Sequence, residues 1–291
     1  MRIAIHGKST GPEAQACIAD MFSILESRGI KADISAEYQT DLAQKGFSTS
    51  NLNTFIRGDS LKRYDYLLSL GGDGTILDSI TYTNGAETPI VGINLGRLGF
   101  LATTPRDQIS FALKSIAEGD FAIESRSLVH VDSNQRLFEP FNFGLNEFTI
   151  VKKETSSMIV VHTYVDGDYL NSYWADGLIV STPTGSTGYS LSCGGPLVHP
   201  KEKNFILTPV SPHNLNVRPI ILSDDSILTF EIEGRSRQFM VSLDSRSVSV
   251  DDSVEISVRR EEFEARLVRF PKNKYFDTLR HKLNWGLDAR N

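Results

Sequence analysis

The string Leu70-Gly71-Gly72-Asp73-Gly74-Thr75 sets one carboxylate among glycines, directly after an apolar run and just before a helical pattern. Glycines let a backbone come close to a ligand, and the free N–H groups at the start of the next helix favour anionic oxygens such as phosphates. A carboxylate in such a loop can hold Mg²⁺-linked phosphate or accept a hydroxyl proton during phosphoryl transfer. Asp73 by itself could equally do no more than cap a helix over residues 76–81. The complete Gly-Gly-Asp-Gly-Thr string favours chemistry.

A second segment, Ser181-Thr182-Pro183-Thr184-Gly185-Ser186-Thr187-Gly188-Tyr189-Ser190, follows the apolar run 178–180. Its hydroxyls, small side chains and glycines suit the phosphates and sugar of a nucleotide, although Ser/Thr/Gly clusters are also ordinary turns. Asp176 before it and Gly194-Gly195-Pro196 after it tilt the reading towards a site. The third element, Asn94-Leu95-Gly96-Arg97-Leu98-Gly99-Phe100-Leu101, offers Arg97 as a phosphate contact, and a lone loop arginine is more often simply solvated. The fourth, Asn146-Glu147, joins an amide to a carboxylate, a pair able to read an adenine edge and grip ribose hydroxyls. Three better-known motifs fail. Gly7-Lys8-Ser9 lacks the P-loop glycine, because Arg2 stands in its place. Gly72-Asp73-Gly74 lacks the third glycine of a dinucleotide fingerprint, because Leu77 stands there. Gly188-Tyr189-Ser190-Leu191-Ser192 misses the last glycine of a hydrolase elbow.

These loops need elements to hold them. Up to about residue 120, strand and helix signals alternate: strands over 2–6, 66–70 and 90–95, a helix from Pro12 to a stop at Gly29, and a helix carrying Ile109, Leu113 and Ile116 that stops at Gly119. Thr104-Pro105-Arg106-Asp107 has the form of a capping box. That alternation implies a parallel sheet covered on both faces. From about Phe121 candidate strands crowd together, over 128–131, 148–151, 158–165, 169–173, 178–181, 227–232, 239–243, 247–250 and 254–258, with Asp166-Gly167 as a hairpin turn. Residues 275–285 regain helical spacing. The expectation is an α/β N-terminal domain with a Rossmann-like parallel sheet over 1–122. A largely antiparallel all-β C-terminal domain would follow over 123–270, with 271–291 packing back on the first.

Composition narrows the partners. The 291 residues carry a net charge of −6, against the basic footprint that nucleic acid requires. No apolar run nears the ~18 residues of a membrane span, and the start has no signal-peptide pattern. Cys17 and Cys193 stand far apart and the six histidines are scattered, so neither a disulfide framework nor a metal site of the chain's own is expected. The expectation is a cytoplasmic protein acting on small molecules.

Together the four segments resemble the NAD kinase family, in that family's order, over residues ~1–285. Gly-Gly-Asp-Gly-Thr alone is shared with diacylglycerol and sphingosine kinases and 6-phosphofructokinases. Asn146-Glu147, Asp176-Gly177, Thr182-Pro183-Thr184-Gly185-Ser186-Thr187, Gly194-Gly195-Pro196 and Tyr275-Phe276-Asp277-Thr278-Leu279 narrow the match. The resemblance implies transfer of the γ-phosphoryl of ATP to the adenosine-ribose 2′-hydroxyl of NAD, with Mg²⁺ or another divalent metal accompanying ATP. It implies Asp73 as the catalytic carboxylate and Gly74 near the NAD backbone. Asn146 and Glu147 would hold the adenosine half, with Asp176 near the nicotinamide ribose. Thr187, Gly188, Tyr189, Ser190, Leu191 and Ser192 would line the adenine and phosphate pocket. It also implies a site between the two domains and a homodimer or homotetramer whose subunits share sites. Three positions depart from the pattern: Gly188 replaces a frequent alanine, Arg246 ends Asp244-Ser245-Arg246 where glutamine is usual, and Trp174 replaces a polar or basic residue. Two other readings compete. A lipid kinase sharing the glycine-Asp loop would need a membrane-docking surface, and no basic amphipathic segment supplies one. A catalytically silent NADP-binding module has no use for an intact Asp73.

Overall fold

The computed structural model describes residues 1–8, 11–153, 158–272 and 274–285. Ser9 of the Gly7-Lys8-Ser9 string, Asn273 and residues 286–291 of the C-terminal segment lie outside the described residues. The chain divides into two compact units, Met1–Ser125 with Ala265–Asn291, and Arg126–Glu264.

The first unit begins with β1 (Arg2–Gly7), α1 (Gly11–Ser27), β2 (Lys31–Ser35), α2 (Ala36–Gln44) and β3 (Thr54–Phe55). It continues with β4 (Tyr66–Gly71), α3 (Asp73–Thr83), β5 (Ile90–Asn94), β6 (Thr104–Pro105), α4 (Ile109–Glu118) and β7 (Ala122–Arg126). Sheet order is β3-β2-β1-β4-β5, and the pairings along that path are parallel. Alternation along the strands sends Ile3, Ile5, Leu68 and Leu70 into one buried cluster with Ile18, Met21, Leu113 and Ile116 of α1 and α4. His6 and Ser69 point the other way, where they bond Asp78 and Ser79 of α3. The chain reverses its direction of winding between β1 and β4, the switch point at whose carboxyl ends open α/β sheets bind ligands. The loop after β4 is the Gly-Gly-Asp-Gly-Thr string. At Thr104 the capping box does not form: the residue pairs with Ile93 as a strand, and a short 3₁₀ turn over Arg106–Gln108 leads into α4.

The second unit holds β8 (Val129–Ser133), β9 (Phe143–Gly144), β10 (Glu147–Lys152), β11 (Ile159–Val165), β12 (Asp168–Ala175) and β13 (Gly177–Ser181). After the short helix α5 (Tyr189–Ser192) come β14 (Asn204–Val210), β15 (Ile220–Ser223), β16 (Leu228–Gly234), β17 (Gln238–Leu243), β18 (Arg246–Asp251) and β19 (Ile256–Arg260). Two antiparallel sheets, β15-β14-β13-β10-β17-β18 and β12-β11-β16-β19-β8-β9, bury one shared core. Phe148 of one sheet meets Phe230 of the other at 6.5 Å between ring centres. The Asp166-Gly167 turn forms with both residues at positive φ, the geometry that suits a two-residue hairpin. Strand β14 is absent from the sequence expectation because Pro209 interrupts its pattern. Pro209 lies beyond Leu207, the last β14 residue paired with β15, so its missing N–H faces no neighbour there.

After the second unit the chain returns to the first as β20 (Ala265–Arg269) and α6 (Tyr275–Leu283). The sequence reading keeps residues to 270 in the second domain, whereas β20 pairs in parallel with β5 and lies between β5 and β7. Helix α6 buries Leu279 and sets the Lys282 ammonium 5.7 Å from the Phe100 ring centre. No helix among the described residues is long and apolar enough to cross a membrane. Leu70 is fully buried at the end of β4, immediately before the glycine loop. Leu70→Ala should therefore cost about 2–5 kcal/mol, measured as a lower urea midpoint with unchanged slope.

Candidate functional site

In the first unit, β4 ends at Gly71 and α3 starts at Asp73, with Gly72 as N-cap. Gly71 is dictated by packing, since a Cβ there would lie 2.1 Å from Thr75 Oγ1. Gly72 and Gly74 are different: a Cβ on either would meet nothing within 4 Å. A helical glycine that packing does not require gives up to about 1 kcal/mol of stability relative to alanine. Exposed Gly74 leaves that face of the helix start open.

Asp73 does not cap its own helix. Its Oδ1 accepts the N–H groups of Leu101 and Ala102 at 2.9 Å each, and Oδ2 accepts that of Phe100 at 2.8 Å. The Asn94–Leu101 element thus enters the site through its backbone, while the Arg97 side chain is exposed to solvent. Asn94 fixes the loop: its amide donates to the carbonyls of Arg97 at 2.8 Å and Ala102 at 3.1 Å, and its Oδ1 accepts Gly96 N–H at 2.8 Å.

In the second unit, Asn146 and Glu147 sit on the turn that enters β10. Asp244, at positive φ just after β17, accepts the N–H groups of Leu145 and Asn146 at 2.8 Å and Glu147 at 3.2 Å. The Thr182–Thr187 loop closes onto the same turn. Thr182 Oγ1 donates to the Leu145 carbonyl at 2.5 Å, and its N–H donates to the Asn146 carbonyl at 2.8 Å. Gly185 leaves no room for a side chain, since a Cβ would lie 2.1 Å from the Asn146 carbonyl oxygen. Gly188 faces Glu147, and a Cβ there would stand 3.1 Å from Oε2. Glu147 Oε2 itself is buried without a hydrogen-bond partner. Burial, helped by the Asp244 carboxylate, pushes the Glu147 carboxyl up to about 8. Burial also raises Asp244, and its three N–H donors and Arg246 oppose that rise. An unpaired buried oxygen costs free energy that a ligand hydroxyl can recover.

The remaining residues of the second segment divide between structure and surface. Ser190 is fully buried and bonded to Thr208 at 2.8 Å. Thr187 donates to the Thr184 carbonyl, Leu191 is half-buried, and Tyr189 and Ser192 are exposed on α5. Asp176 is paired with Lys152 at 2.7 Å. The Trp174 indole, two residues earlier, is half exposed. Arg246 points inward, donating to the carbonyls of Phe141 and Phe143. The structure thus brings Asn146, Glu147, Thr187 and Gly188 together in the second unit and sets Asp73 and Gly74 in the first. The sequence names the string ending at Leu101 and the Asp244-Ser245-Arg246 string, but it does not show the main-chain hydrogen bonds by which Phe100, Leu101, Ala102 and Asp244 act on the site.

A glycine-opened helix start at the switch point of a parallel sheet, with a carboxylate at its head, suits a phosphate-bearing ligand. Residues 22–121 match the ATP-NAD kinase N-terminal domain and residues 145–270 the ATP-NAD kinase C-terminal domain. The chain belongs to the NAD kinase family. It is 49% identical to the NAD kinase of Cytophaga hutchinsonii and 40% identical to that of Flavobacterium johnsoniae, with both chains covered completely in each case. The solved NAD kinase of Archaeoglobus fulgidus in complex with ATP is similar at TM-score 0.74 and 28% identity, over 98% of this chain and 99% of that one. Yeast NADH kinase complexed with NADH shares the fold at TM-score 0.83 and 23% identity, over 99% of this chain and 89% of that one.

Two stability measurements follow from this geometry. Gly74→Ala should leave the melting temperature unchanged or raise it by a few degrees, while turnover falls. A carboxyl that binds its proton more tightly in the folded chain stabilises the fold below its unfolded pKa of about 4.3. That contribution is lost as pH rises towards about 8. Glu147→Gln should therefore gain stability relative to the parent between pH 5 and 8 and hold the gain above that, as read by thermal melts across pH.

Proposed function

We propose that this chain transfers the γ-phosphoryl of ATP to the 2′-hydroxyl of the adenosine ribose of NAD, giving NADP and ADP. The observation that carries the reading is Asp73: a carboxylate fixed by three backbone N–H groups beside a helix start whose glycines leave it clear. The hydroxyl oxygen forms a bond to the γ-phosphorus as the bond from that phosphorus to the β–γ bridging oxygen breaks. The hydroxyl proton passes to Asp73, and ADP leaves. Such transfers have a loose transition state, so positioning and charge neutralisation outweigh proton removal.

In the second unit, the unpartnered Glu147 oxygen and the neighbouring Asn146 amide suit the hydroxyls and base of the adenosine half. Gly188, lacking a Cβ beside Glu147, keeps that oxygen approachable. The exposed Tyr189 ring on α5 offers a face for stacking, and Asp176 takes the nicotinamide ribose. ATP as donor is supported by the Archaeoglobus fulgidus relative, whose structure contains it. Among the described residues no group of three or more His, Cys, Asp or Glu is placed to hold a metal ion. A divalent ion therefore fits this chain as part of the Mg·ATP substrate, bound mainly through the phosphates. By the family likeness, the active form is a homo-oligomer.

The test is formation of NADP from NAD and Mg·ATP by the purified protein beside Asp73→Asn. The parent should make NADP, and the variant should lose about 10²–10⁴-fold in kcat while NAD binding, followed by calorimetry, changes little. Near-parental turnover in the variant would remove Asp73 from the chemistry, and no NADP from the parent would overturn the acceptor assignment.

A further inference from the structure

We propose that the Gly99–Ala102 backbone, held by Asn94 and Arg269, is the positioning device for Asp73 and leaves it a single working lone pair, on Oδ2. The inference rests on the reading of Asp73 given above. An ionised carboxylate offers about four acceptor positions. Leu101 and Ala102 N–H fill both on Oδ1, and Phe100 N–H fills one on Oδ2. One position on Oδ2 remains for the acceptor hydroxyl. The carboxylate can turn neither ring-like nor end-for-end without breaking several charge-assisted hydrogen bonds at once.

The strap that supplies these donors is itself tied down. Asn94, almost fully buried, bonds Gly96 and Arg97 just ahead of it and Ala102 at its end. Arg269 of β20 holds its middle: the guanidinium donates to the Leu101 carbonyl at 2.8 Å and to Thr103 Oγ1 at 3.1 Å, and pairs with Glu124 at 3.1 Å. Leu101 is therefore gripped through its carbonyl by Arg269 while its N–H grips Asp73. Gly99 completes the device. A Cβ there would lie 1.9 Å from Asp73 Oδ1 and 2.4 Å from its carboxyl carbon, so any side chain at this position displaces the carboxylate. Neither Arg269 nor Asn94 needs to touch a substrate; each acts through the strap.

The experiment is a double-mutant cycle on NADP formation with separate kcat and KM. Gly99→Ala should lower kcat by about 100-fold, the scale of an ångström-sized misplacement, while the KM for NAD and for ATP each stay within about threefold. Added to Asp73→Asn it should cost less than about twofold more, because both changes disable one group. Independent, multiplying losses would overturn the proposal, as would a Gly99→Ala enzyme with parental kcat. Arg269→Lys, which keeps the charge and loses the two-pronged grip, is the second variant should Gly99→Ala not fold, and the same non-multiplying pattern with Asp73→Asn is expected of it. Amide hydrogen exchange supplies a readout that needs no turnover: Asp73→Asn should speed exchange at Phe100, Leu101 and Ala102 by about tenfold or more, as loss of a charge-assisted bond implies. If the parent makes no NADP but exchange accelerates, the acceptor assignment fails and the strap stands. Unchanged exchange removes the strap.

Discussion

A carboxylate taken out of water must find donors or give up its charge, and both units meet that constraint in the same way. Asp73 gathers the N–H groups of three successive residues, 100 to 102, and Asp244 gathers those of 145 to 147. Three successive amides can converge on one anion only if the backbone curls around it, so each carboxylate also shapes the loop that satisfies it. In the first unit the anion is the group we propose as reactive, and the loop serves it. In the second the anion is structural, and the loop it shapes presents Asn146 and Glu147. One electrostatic device is used with the roles of anion and loop exchanged.

The second consequence of that constraint is the contrast between the two acids of the Asn146–Glu147 turn. With three donors and Arg246 behind it, Asp244 is the better home for one negative charge. Glu147, itself the source of one of those amides, is left with a buried, unsatisfied side-chain oxygen. The fold thereby stores the cost of an unmade hydrogen bond beside the small residues of the Thr182–Gly188 loop. Gly185, pressed against the Asn146 carbonyl, ties that loop to the turn, so the loop and the turn cannot be repositioned separately.

The central strands β1, β4 and β5 of the first sheet and the Asp166-Gly167 hairpin of the second unit are legible in the sequence because they rest on local signals: apolar runs ending at glycine, period-two alternation and an Asp-Gly turn. What escaped was non-local or carried by the main chain. Pro209 hid β14, since the harm a proline does depends on which neighbour its missing N–H would have met. Strand β20 has no signal of its own in the sequence and falls inside the expected second domain, because its neighbours β5 and β7 lie far back along the chain. At the site, the charges of Arg97 and Arg246 stand out in the sequence, whereas the amides of 100–102 and 145–147 do the positioning. An amide has no letter of its own in a sequence. The order of the loops was legible through Gly71–Thr75, Asn146-Glu147 and Thr182–Thr187, but the strap and Asp244 required coordinates.

The place of β20 also has a bearing on how the protein is made. The strand lies between β5 and β7, yet its five residues come after the whole of the second unit in the chain. A polypeptide leaving the ribosome from its N-terminus exposes β5 and β7 while the strand that separates them has yet to be synthesised. The second unit, continuous in sequence, can close first, and the first must wait with an unfilled slot in its sheet. Arg269 arrives with that late strand. Nascent chains truncated before residue 265 would thus carry every residue of the glycine loop and still lack the guanidinium that steadies the amides around its carboxylate, which confines the fully braced loop to chains that have passed residue 269.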